Sequence, residues 1–169
     1  IWGAQSETSS SYPTSYIVSN SGSATTRLAE TCNNAGNSDI IPSDEGVLYA
    51  EIAALADDGT GRVISLNSDS FQNRVQISYT PVSNQITAIV QSDNVIYFNV
   101  ATILSDALQI NKIAIKYKQN DFALWINGIE IAADISGNTP IGLDNLDFSI
   151  SNVANFYGKT KMVAVFPYL

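Results

Sequence analysis

Apolar and polar side chains alternate along much of this chain with a period of two. Arg74–Tyr79 sets Val75, Ile77 and Tyr79 on one face and Arg74, Gln76 and Ser78 on the other. Lys112–Lys118 repeats the pattern, with Ile113, Ile115 and Tyr117 opposite Lys112, Lys116 and Lys118. Leu146, Phe148 and Ile150 alternate with Asp147, Ser149 and Ser151. Successive side chains of a strand point to opposite faces, so these segments are predicted to be strands with one buried face. Gly46–Leu55 is a longer, strongly apolar run that ends at the turn signal Asp57-Asp58-Gly59-Thr60-Gly61. Further strands are predicted at Arg62–Asn67, Gln85–Gln91, Val95–Val100, Phe122–Ile126, Ile129–Ala133 and Lys161–Leu169. Asn127-Gly128 lies between two of them and is the strongest hairpin signal, because a type I′ turn needs positive φ at both central residues. Thr102–Gln109 reads as the one short helix. Strands at this regular spacing indicate an all-β sandwich or barrel, and periodicity does not choose between them.

Composition narrows the picture. The chain has 169 residues, enough for one domain with a full core and no staples. Charged residues make up 14%, against an average of about 25%, and Ser, Asn and Thr stand in their place. Such short polar side chains bond to nearby backbone and suit strands and turns better than helices. The net charge is −8, from eight Lys and Arg against sixteen Asp and Glu. Cations this scarce and scattered do not suit nucleic acid, and the balance disfavours an anionic membrane surface. No apolar run approaches the roughly 20 residues of a membrane helix, so membrane insertion is not expected. Cys32 is the one cysteine, which excludes an internal disulfide. The chain starts Ile1-Trp2-Gly3 without a visible signal peptide and reads as a fragment of a larger polypeptide. Ser6–Ser23 has linker composition, and Thr31–Ser43 reads as a loop.

The run Lys112-Ile-Ala-Ile-Lys-Tyr-Lys-Gln-Asn-Asp-Phe-Ala-Leu-Trp-Ile-Asn-Gly128 resembles the strand–turn–strand–Asn-Gly unit of concanavalin A-like and laminin-G-like domains. Asp147-Phe-Ser-Ile-Ser151 and Phe156-Tyr-Gly-Lys-Thr-Lys-Met-Val-Ala-Val-Phe-Pro-Tyr168 are similar to their closing strands. The resemblance covers 46–169 and implies a two-sheet antiparallel β-sandwich, the jelly roll of the concanavalin-like lectin and glucanase class. Ile1-Trp-Gly-Ala-Gln-Ser-Glu7, followed by Ser11-Tyr-Pro-Thr-Ser-Tyr-Ile17, is similar to a junction between modules of phage tail-fibre and related virion proteins, and of bacterial surface proteins. It implies that residues 1–23 are a linker and the end of a preceding module, with the sandwich domain over 24–169. It also implies a virion or cell-surface location, with a homotrimer left open as part of a fibre.

An enzyme of this class needs chemistry that the sequence largely lacks. There is no histidine, which excludes a Ser-His-Asp triad and His-ligated metals. A glycosidase on a strand would place two acids at i and i+2, about 7 Å apart. No two acids have that spacing, and the Glu-x-Asp-x-x-Glu signature of the glucanases is missing. Glu130 with Asp134, and Asp144 with Asp147, are expected to be solvated. A lyase built on tyrosine stays open.

The expected function is therefore non-catalytic glycan binding, with polysaccharide as partner. Sugars stack on exposed rings while neighbouring polar groups take the hydroxyls. Trp125 lies on the face opposite Phe122, Leu124 and Ile126, and Tyr97 opposite Ile96 and Phe98, so these are the candidate platforms. Asn127, Asn94 and Asp58 are the candidate polar partners. No cofactor is expected, except that calcium is left open at Asp57 and Asp58, with Asp93 and Asn94 as partners from another loop. Arg62 and Arg74 are expected to be solvated cations within reach of acidic sugars. The alternative function is a structural spacer or oligomerisation module of a fibre.

Overall fold

The computed structural model describes Cys32, 34–150 and 153–167. The expected linker over 1–23 and its boundary lie outside the described residues. The chain divides into Ile1–Thr31 and Cys32–Leu169, and the second unit is described here.

Ten strands follow one another: β1 (Glu45–Ala54), β2 (Arg62–Asn67), β3 (Arg74–Tyr79), β4 (Gln85–Ser92), β5 (Val95–Ile103), β6 (Asn111–Lys118), β7 (Phe122–Ile126), β8 (Ile129–Asp134), β9 (Asn145–Asp147) and β10 (Gly158–Phe166). They form two five-stranded antiparallel sheets, ordered β10-β1-β6-β7-β8 and β5-β4-β3-β2-β9. The domain is thus the expected two-sheet β-sandwich. Its core is made by the apolar rows read from the alternation. Leu48, Ile113, Ile115 and Leu124 of one sheet meet Ile64, Leu66, Ile77 and Ile86 of the other, all fully buried. Phe98 of β5 stacks on Phe122 of β7 with ring centroids 6.1 Å apart, tying the sheets together. Tyr117 is buried among the aliphatics and donates its hydroxyl to the Pro42 carbonyl at 2.8 Å, which satisfies its one polar atom.

The expected helix at Thr102–Gln109 does not form. Thr102 and Ile103 finish β5, and the chain then turns irregularly. Leu104 and Ala107 are both buried, and their spacing of three imitates a helical face. Their amides are taken by tertiary partners instead, Leu104 by the Asn84 carbonyl and Ala107 by the Asn84 side-chain oxygen.

Three sheet edges carry a bulge. One residue is passed over in the pairing on each of β10 (Lys161), β5 (Tyr97) and β8 (Ile131). The fourth edge strand, β9, has three residues, and Ala35 bridges Leu146 on its outer side.

The Asn127-Gly128 turn joins β7 to β8 with φ of 52° and 85°, as its sequence requires. Nothing lies within 4 Å of a Cβ built on Gly128, so backbone strain alone penalises a side chain there. A left-handed conformation costs a residue with a Cβ roughly 1–2 kcal/mol. Gly128→Val is therefore expected to lower unfolding stability by about that amount in urea melts, with an unchanged m-value. A loss no larger than the ±0.5 kcal/mol or so of an ordinary surface change would contradict the turn assignment.

Candidate functional site

Because Leu48, Ala50, Ile113, Ile115, Leu124 and Ile126 fill the core, the residues between them on β1, β6 and β7 face outward. Across this outer face one row runs Ala164, Tyr49, Ala114, Trp125 from β10 to β7. Ala114 has an aromatic ring on each neighbouring strand. With strands about 4.8 Å apart, the Cα atoms of Tyr49 and Trp125 are roughly 10 Å apart, and the methyl of Ala114 forms the floor between them. Both side chains are partly exposed. Phe166 extends the aromatic surface, lying edge-on to Tyr49 at 6.4 Å and 46% exposed.

Charge borders the row. Lys112 and Lys116 stand two residues either side of Ala114 on β6, about 7 Å away along the strand. Glu51 lies opposite Lys112 on β1. Its two oxygens are occupied, one by the Tyr49 hydroxyl at 2.7 Å and one by the Lys161 ammonium at 2.9 Å. The Lys161 ammonium and the Tyr49 hydroxyl hold the Glu51 carboxyl below the usual carboxylate range. Burial and the bond to Glu51 push the Tyr49 phenol up. Lys116 pairs with Asp121 and Lys118 with Glu45, both at 2.5 Å.

Trp125 is thus where the sequence placed it, outside the core on a broad face. Asn127 is nearby, but its side chain is committed to the turn. Its oxygen accepts from the Lys112 amide at 2.9 Å and its NH₂ donates to Asn111 Oδ1 at 3.0 Å. Tyr97 lies elsewhere, on β5, packed over Gly137 with its hydroxyl accepting from Asn138 at 3.1 Å. Asn94 is in the β4–β5 turn, where its amide donates to the Gln72 carbonyl.

Asp57 and Asp58 occupy the β1–β2 loop and are turned to different partners. Asp57 accepts from the Ser83 hydroxyl and from the Asn84 amide at 3.1 Å. Asp58 accepts from the Thr60 amide at 3.0 Å and from Arg62 Nη2 through both oxygens, at 2.9 and 3.1 Å. Asp93 and Asn94 cannot join them. Asp57 is tied to the start of β4 and the pair follows its end, so an eight-residue strand, roughly 25–30 Å of chain, separates the two loops. Among the described residues no group of three or more His, Cys, Asp or Glu is placed to hold a metal ion.

Two expectations about solvated charge are corrected. Arg62 is 5% exposed, because its guanidinium folds back onto Asp58 and the Thr60 carbonyl to close the end of the sandwich. Asp147 is buried, because β9 runs between β2 and Ala35, and it accepts from Asn67 Nδ2 at 2.8 Å and from the Asn34 amide at 2.5 Å. The outward positions Ser65, Asn67, Gln76 and Ser78 of the second sheet are buried as well.

Tyr49 escaped the sequence reading. Gly46–Leu55 reads as one strongly apolar run, and the single charge inside it, Glu51 two residues from Tyr49, is the signal that could have assigned Tyr49 to the outer face. Its pairing with Ala114 is visible only once β1 lies beside β6.

No family model matches the chain, and no curated protein matches it significantly. Solved structures do. The chain is similar to the Ruminococcus gnavus IT-sialidase CBM40 bound to alpha2,3 sialyllactose, with TM-score 0.58 at 11% identity over 75% of this chain and 77% of that one. It is similar to the mouse laminin alpha1 chain, domains LG4-5, with TM-score 0.58 at 10% identity over 82% and 39%. A native glycosidic hydrolase matches with TM-score 0.50 at 12% identity over 73% and 63%. The fold is therefore that of concanavalin A-like and laminin-G-like jelly rolls, and it houses binders and enzymes alike.

The Thr60 amide, then Arg62, lowers the Asp58 pKa to about 2. An unfolded aspartate titrates near about 3.9, so Asp58 adds stability above that pH and loses it as pH falls toward about 2. An NMR titration is expected to give a midpoint near 2, and the stability gap between the native protein and Asp58→Asn should close over this window. A midpoint near 4 would refute the pairing.

Proposed function

We propose that this domain is a non-catalytic glycan-binding module, and that the Tyr49–Ala114–Trp125 row is its sugar platform. The observation that carries this reading is a pair of partly exposed aromatic side chains on alternate strands with a small residue between them. Sugar C–H faces stack on such rings, and the Trp125 indole N–H, which makes no hydrogen bond among the described residues, is available to a hydroxyl. The bound sugar in the Ruminococcus gnavus structure supports the reading by analogy of fold. The absence of histidine and of acids at i, i+2 supports a binder over a hydrolase. The parent protein is a virion tail fibre or a similar surface protein, and the polysaccharide is on a host or cell surface.

A second reading, a spacer or oligomerisation module, is favoured by the apolar edge at β8, where Ile129 is 67% and Ile135 83% exposed. Light scattering separates the two, because a spacer that oligomerises through this edge becomes monomeric in Ile129→Ser/Ile135→Ser while a sugar platform is untouched.

On a glycan array, Trp125→Ala and Tyr49→Ala should each lose at least tenfold in affinity while keeping the native melting profile to within about 1 kcal/mol. Unchanged binding, or a loss of several kcal/mol in stability, would remove these rings from the site.

A further inference from the structure

All five lysines of this acidic chain lie on β6 and β10, in the sheet that carries the aromatic row. Lys112, Lys116 and Lys118 occupy outward positions of β6, Lys159 pairs with Ala53, and Lys161 reaches Glu51. Five carboxylates lie on or beside this face: Asp44, Glu45, Glu51, Asp121 and Glu130. The other described residues hold nine carboxylates against Arg62 and Arg74. A chain of net charge −8 thus has one face where cations and carboxylates balance, and that face holds the aromatic row.

The pairing leaves specific charges free. Three lysines are matched to Asp121, Glu45 and Glu51. Among the described residues Lys112 and Lys159 have no ion pair. Glu51 is across from Lys112 and offsets part of its charge, but its oxygens are engaged by Tyr49 and Lys161 and it makes no ion pair with Lys112. Glu130 is likewise unpaired among the described residues, and it stands beyond Trp125 on β8. Lys112 thus flanks the middle of the row, two residues along β6 from Ala114, and Glu130 closes the row at its β8 end.

We propose that the glycan held on this face is acidic, carrying a carboxylate or sulfate that reaches Lys112 while its ring stacks over Ala114 between Tyr49 and Trp125. This rests on the glycan-binding reading above. Lys112 donates to the anion, and charge-assisted bonds of this kind are roughly twice as strong as neutral ones. The rings fix the sugar, and the ammonium selects its charge. Glu130 repels an acidic group turned toward β8, which favours the pose with the anion at Lys112.

The test compares polymers that differ in charge. Polygalacturonate, hyaluronan and dextran sulfate are titrated by calorimetry against the whole chain, beside methyl-esterified pectin and unsubstituted dextran. The expected result is binding to at least one acidic polymer, at least tenfold tighter than its neutral counterpart and weakening as salt rises from 50 to about 300 mM, where screening is strong. Lys112→Gln should abolish the preference, Glu130→Gln should tighten acidic binding severalfold, and Trp125→Ala should lose both classes. Tight binding to neutral polymers that needs Trp125 and ignores Lys112→Gln would overturn the acidic ligand while leaving the glycan platform standing. Salt-sensitive binding that survives Trp125→Ala would be unspecific polyanion attraction and would overturn the site. Failure to bind any of the five polymers would overturn both.

Discussion

Contact between the inward aliphatic rows of the two sheets sets the register of every strand around it. A one-residue slip of β6 would turn Ile113, Ile115 and Tyr117 to water and carry three lysines into an apolar interior. An unpaired ammonium there has no affordable state. The penalty fixes which side chains face outward on β6, and pairing passes that choice to β1 and β7. Tyr49 and Trp125 flank Ala114 because Leu48, Ile115 and Leu124 must meet the other sheet.

Legibility in the sequence followed this same constraint. Strands with one wet face announce themselves, and β3, β6 and β7 were readable to within a residue of their ends. The Asn127-Gly128 turn was readable because few residue pairs tolerate its backbone. The reading broke down where burial was two-sided or borrowed from afar. β1 hides Tyr49 because its run is apolar except for Glu45 and Glu51, and the outer face still holds Val47 and Ala53. Residues 102–109 imitate a helix because Leu104 and Ala107 dip into the core from a turn held by Asn84. The Asp58–Arg62 pair is separated by four residues and was within reach of sequence reasoning. The burial that makes Arg62 structural was not.

Charge follows a different logic from the core. Nothing in packing requires the lysines of an acidic chain to gather on one sheet. The formal net charge conceals this arrangement, and a sum over the chain says little about what a particular face can attract. Placement on strands does, and it became visible once β10 was seen beside β1, bringing Lys159 and Lys161 to the face that β6 already supplied.

The bulges at Lys161, Tyr97 and Ile131, with the short bridged β9 as the fourth edge, bear on how this chain behaves in a crowd. A flat, unpaired strand bordered by isoleucines is a template for sheet extension and, at high concentration, for fibrillar aggregation. Each bulge breaks the regular ladder of amides and carbonyls that an incoming strand would have to match. Neighbouring copies are left to touch through side chains, which disfavours extension of either sheet from one sandwich into the next.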